Sequence, residues 1–142
     1  MPSVPPHPPV TNAAVAEWLS AASVETTKFQ PGEDLVREGD PSDEVLIITD
    51  GTARVSAGDR SHDLAALGAG SVIGEVSALA GGTRTATVTA ESVVTAHVLS
   101  RQQFQQLLED DPEFAKRVTR EASARLDRRH MLAFLERLLG HL

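Results

Sequence analysis

Between Val24 and Leu99 the chain turns about every ten residues, at Pro31-Gly32, Gly39-Asp40, Asp50-Gly51 and Gly58-Asp59, with Gly68 and Gly70 following. Between the turns lie short stretches of strand character: Lys28-Phe29, Leu35–Arg37, Val45–Thr49, Ala53–Val55, His62–Leu67, Val72-Ile73, Thr85–Thr89 and Val93–Leu99. Hairpin punctuation at this spacing predicts an antiparallel jelly-roll-like β-barrel over residues 24–99.

Helices are expected on both flanks, which makes the fold class mainly β with flanking α. Thr11 or Asn12 can cap an N-terminal helix over residues 12–22, with Val15, Trp18 and Leu19 on one face. Ser100 can cap a helix over 101–110 that turns Phe104, Leu107 and Leu108 inward, and Pro112 can open a second C-terminal helix running to Leu139. Its second half carries a broad apolar stripe, Met131, Leu135, Leu138 and Leu142 with Leu132, Phe134 and Leu139 alongside. That stripe can pack on its own barrel, or serve as a homodimer seam or a docking face for a partner protein. Residues 1–10 hold five prolines and are expected to form a disordered or polyproline arm, leaving 11–142 as one domain.

Composition removes several function classes. With no cysteine, disulfide and thiolate chemistry are excluded. A formal net charge of −7 repels nucleic acid and anionic lipid, so no direct DNA binding and no membrane association of its own are expected. A DNA-binding helix-turn-helix would have to follow the long helix, and the chain ends at Leu142. Neither a membrane span nor a signal peptide is visible, which suits a cytoplasmic chain. His62 and His97 sit in strands without an HxH or HxxE pattern, so no metal is expected, and no serine lies in a GxSxG, so no enzyme is expected. The acids Asp40, Asp43, Glu44, Asp50, Asp59 and Asp63 fall mostly in turns and read as solvated loops or Asx turns.

One stretch departs from plain hairpins: Ile73 to Val88, IGEVSALAGGTRTATV. Gly74 lets the backbone bend sharply and approach a ligand closely, and Glu75 to Ala80 can make one or two helical turns whose free N–H groups attract an anion. Gly81-Gly82 then ends the turn, and Arg84 is the cation that follows. A carboxylate beside an anion site makes sense if it serves another part of the ligand, and an ionised carboxylate accepts a sugar hydroxyl strongly. Glu75 and Arg84 can thus hold a ribose 2'-OH and a neighbouring phosphate together, as a cyclic nucleotide requires. A nucleoside triphosphate fits less well, because GxxxxGK[ST] is absent.

Gly74, Glu75, Val76, Ser77, Gly81, Gly82, Arg84, Thr85 and Ala86 together resemble the phosphate-binding cassette of the cyclic-nucleotide-binding domains found in catabolite activator proteins, cyclic-nucleotide-dependent kinases and cyclic-nucleotide-gated channels. The resemblance extends over roughly Phe29 to Arg129, and it departs from many members at Thr83, where they carry proline. It implies that Glu75 takes the ribose hydroxyl and Arg84 the cyclic phosphate, aided by cassette amides and Thr85. It further implies an apolar wall from Val55, Leu64, Val72, Ile73 and Val76, with Arg125 as a lid over the purine. The expected activity is a stand-alone sensor for cyclic AMP, in preference to cyclic GMP, that signals through cassette and C-terminal helix movement. The alternative is an interaction module of the same fold without that ligand.

Overall fold

The structure, a computed structural model, describes residues 12–56, 65–75, 83–84 and 86–123. The proline-rich arm and the part of the last helix expected after Ser123 lie outside these residues. α1 (Ala13–Ala21) leads into eight strands, β1 (Glu25–Phe29), β2 (Asp34–Val36), β3 (Val45–Asp50), β4 (Ala53–Ser56), β5 (Ala65–Leu67), β6 (Val72–Ile73), β7 (Thr87–Ala90) and β8 (Val94–Leu99). α2 (Arg101–Asp110) and α3 (Pro112–Ser123) follow.

The strands pair antiparallel in two four-stranded sheets, β1-β8-β3-β6 and β2-β7-β4-β5. The pairs β1 with β8, β2 with β7, β3 with β6 and β4 with β5 are those of one long hairpin rolled on itself, which is the jelly-roll arrangement expected from the turn spacing.

Side-chain alternation along β3 divides the molecule into two cores. Leu46 and Ile48 point between the sheets, where they join Leu35, Ala53, Val55, Leu67, Ile73, Val88, Ala90, Val94 and Ala96. Val45 and Ile47 point the other way and meet the helices through Val15, Leu19, Phe104, Leu107, Phe114 and Val118. Phe104 and Phe114 pack edge to face, ring centroids 6.4 Å apart, and so pin α3 to α2.

Local chemistry fixes the helix starts. Asn12 caps α1 by accepting from the Val15 N–H at 3.1 Å. Ser100 and Gln103 form a reciprocal capping box at the start of α2. The Asp111 side chain accepts from the Phe114 N–H at 3.0 Å, which starts α3 one residue after α2 ends. The Trp18 indole N–H donates to Asp110 Oδ2 at 2.8 Å, tying α1 to the α2–α3 junction. That bond, with a second from Gln106, holds the Asp110 carboxyl below the usual carboxylate range.

The β3–β4 turn depends on one glycine. Gly51 has φ +94°, and a Cβ there would strike the Val93 carbonyl oxygen and come within 2.9 Å of Val94 Cα, both backbone atoms that cannot swing aside. Gly51→Ala is therefore expected to cost about 2–4 kcal/mol, the left-handed penalty plus overpacking. Urea unfolding of the two proteins measures it, and an unchanged midpoint would contradict this close packing of Gly51 on Val93 and Val94.

Candidate functional site

The chain leaves β6, at the edge of its sheet, through Gly74, whose φ of +89° turns the backbone and brings Glu75 into helical conformation. Glu75 is 1% exposed, and Arg84 is 5% exposed. Two opposite charges are thus withdrawn from water in one corner of the jelly roll.

Arg84 is fixed along its whole length. Its backbone N–H donates to the Asp40 carbonyl and its own carbonyl accepts from the Gly39 N–H, both at 2.9 Å, so it is laced to the β2–β3 loop. Its guanidinium lies against Gly74, because a Cβ added there would fall on Arg84 Nη1 and within 2.8 Å of the Glu44 carbonyl oxygen. Nη2 donates to Ser42 Oγ at 3.2 Å.

The electrostatics follow from that placement. Burial pushes the Arg84 guanidinium below the ordinary arginine value, because desolvation disfavours the charged form. The negative charges of Glu44, Asp43, Glu75 and Asp40, in decreasing order, oppose the shift. Three of these acids, Asp40, Asp43 and Glu44, are exposed loop residues, as the sequence suggested. Their charges nevertheless converge on Arg84, which the sequence did not suggest.

Among the residues expected to form the site, Gly74, Glu75 and Arg84 come together. Val55 and Ile73 lie in the core between the sheets, and Ala86 packs against it half-buried. Val72 does not join them. It pairs with Ile47 and is buried on the helix side, because neighbours in a strand face opposite ways and Ile73 takes the inward position. Val76, Ser77, Leu64, Thr85 and Arg125 lie outside the described residues. No cluster of three or more His, Cys, Asp or Glu suited to a metal occurs among the described residues. A half-open cavity of about 340 Å³ beside α1, lined by Ala16, Leu19, Ile47 and His97 among others, shares no residue with the Arg84 corner.

Residues 26–111 match the family model of the cyclic nucleotide-binding domain. The chain belongs to this family. A cAMP-dependent protein kinase regulatory subunit of Dictyostelium discoideum is 37% identical over 93 residues, covering 61% of this chain and 28% of that protein. The cyclic nucleotide-gated channel beta-3 of Canis lupus familiaris is 32% identical over 110 residues, 75% of this chain and 14% of the channel. This chain thus spans less than a third of the length of either relative. Among solved structures, the catabolite activator protein of Thermus thermophilus superposes with a TM-score of 0.69 at 21% identity, over 83% of this chain and 58% of that one. The N-terminal domain of a transcriptional regulator from Streptomyces coelicolor A3(2) gives 0.61 at 31% identity, over 84% and 89%. The cyclic nucleotide-binding domain match begins in β1 and ends at the α2–α3 junction, so it encloses the Gly74–Glu75–Arg84 corner.

In this cyclic nucleotide-binding domain Gly74→Ala is expected to displace the Arg84 guanidinium and to cost about 1–2 kcal/mol from the left-handed backbone alone. Thermal unfolding reads the second effect, and a ¹⁵N side-chain spectrum of Arg84 reads the first. An Arg84 signal identical to wild type would contradict the close approach at Gly74.

Proposed function

We propose that this domain is a regulatory module, not an enzyme, which binds a 3',5'-cyclic purine nucleotide without a metal, cyclic AMP in preference to cyclic GMP. The observation that carries the proposal is the burial of Glu75 and Arg84 side by side in one corner. A buried guanidinium is suited to an anion, and a buried carboxylate to hydroxyl donors. A cyclic nucleotide answers both, since its phosphate is a singly charged acceptor and its ribose 2'-OH is a donor a few bonds away. Glu75 takes the hydroxyl and Arg84 the phosphate. Gly74 supports this by admitting the guanidinium to the backbone, and Val55 and Ile73 offer apolar surface on the side of the core between the sheets. The relatives named for cyclic AMP and for cyclic-nucleotide gating support the same ligand class.

The domain is proposed to work in the cytoplasm, without contacting DNA, and to pass its signal to a second copy or a partner protein through its C-terminal helix. No helix among the described residues is long and apolar enough to cross a membrane. Signal transmission runs from the Arg84 corner to α2 and α3, whose buried faces share a core with β3 and β6. A ligand moves these helices only as far as it binds one arrangement better than the other.

Calorimetric titration with cyclic AMP and cyclic GMP tests the ligand. Arg84→Ala should weaken cyclic AMP binding by roughly thirty-fold or more, since removing one partner of a buried charged pair costs about 2–5 kcal/mol. An unchanged dissociation constant would sink the assignment of Arg84, and no heat with either nucleotide would leave a ligand-free interaction module. Competition between the two nucleotides ranks them, with a tenfold preference for cyclic GMP as the result against the proposed order.

Hydrogen exchange on the free and bound domain tests transmission. Amides of α2 and α3 are expected to change protection along with those near Gly74. Change confined to the Arg84 corner would make the helices a fixed support.

A further inference from the structure

Ser42 stands in the middle of the acidic β2–β3 loop, half-buried between the exposed residues Pro41 and Asp43. Its Oγ accepts from two directions, from Arg84 Nη2 at 3.2 Å and from the Glu44 N–H at 3.4 Å. The oxygen is therefore anchored to the loop backbone and at the same time holds one end of the guanidinium. The other end, Nη1, lies against Gly74. Glu44, Asp43, Glu75 and Asp40 act on Arg84 through charge. A diffuse field sets how strongly a cation is held, but not which way its plane faces. A hydrogen bond sets the plane.

We infer that Ser42 is a positioning residue for the anion site, its hydroxyl fixing the orientation of the Arg84 guanidinium before any ligand arrives. This rests on the proposed binding of a cyclic phosphate by Arg84. An arginine side chain carries much rotamer entropy, and holding its planar fork in place beforehand removes part of that cost from the binding step.

The test combines affinity with a signal that needs no ligand. Ser42→Ala should weaken cyclic AMP binding by roughly tenfold, the scale of a hydrogen bond to a charged group. Ser42→Thr, which keeps the hydroxyl, should restore binding to within about threefold of wild type. In an Arg84→Lys background, which lacks the fork, Ser42→Ala should cost less than about twofold more, as expected when one residue acts through the other. An equal loss in both backgrounds, or a Thr variant as weak as Ala, makes Ser42 an ordinary loop residue and overturns the inference.

In the ligand-free protein, ¹⁵N spectra should show separate Arg84 Nη1 and Nη2 lines that merge in Ser42→Ala as the fork becomes free to rotate. A single averaged line in the wild type overturns the role of Ser42, whatever binds. Split wild-type lines that merge in Ser42→Ala, in a protein binding neither cyclic nucleotide, would overturn the ligand while leaving Ser42 as the residue that orients Arg84.

Discussion

A guanidinium taken out of water must be held by its surroundings, and in this chain the elements around Arg84 answer to that demand. Isolated burial of such an ion costs several kcal/mol, roughly, even after relaxation. Gly74 gives up a side chain so that the fork can lie on bare backbone, Ser42 supplies an acceptor, and four carboxylates supply charge. These partners come from the exit of β6 and from the β2–β3 loop, while Arg84 itself stands on the approach to β7. The rolled-up hairpin brings these pieces of chain to one corner. The jelly roll is thus the means by which the charge is held.

The sheet that ends in β6 also carries the helices. Because β3 sends Leu46 and Ile48 between the sheets and Val45 and Ile47 to α1, α2 and α3, one strand is shared by both cores. β6 repeats the division with Ile73 inward and Val72 outward. Val72, two residues before Gly74, sits in the helical layer, so the β6 exit and the helices share one packed core. Such cores are dense and yield little.

Much of this architecture can be read from the sequence, and the parts that cannot share a physical cause. Turn dipeptides are local, so Pro31-Gly32, Gly39-Asp40 and Asp50-Gly51 foretell where strands end without knowledge of what they pair with. Capping is local too: of the two candidates Thr11 and Asn12 it is Asn12 that caps α1, and Ser100 caps α2. Glu75 and Arg84 stand out because they are close in sequence and set in an unusual glycine context. The resemblance puts Val72 with Ile73 in one apolar wall, whereas strand alternation sends the two side chains to opposite faces. Ser42 could not have been found by local pattern, since 42 residues separate it from Arg84. The same distance hid the electrostatic part of Asp40, Asp43 and Glu44, whose exposure alone suggested solvated loops.

The bond between Trp18 and Asp110 has an optical consequence. Trp18 is the only tryptophan in the sequence, and it lies partly buried where α1 meets the α2–α3 junction, with its indole N–H on a carboxylate. Indole emission shifts in wavelength and yield with nearby charge and with access to water. The chain therefore carries a built-in fluorophore at the place where helical movement would be felt, and the state of its helical layer can be followed by ultraviolet excitation of the unlabelled protein.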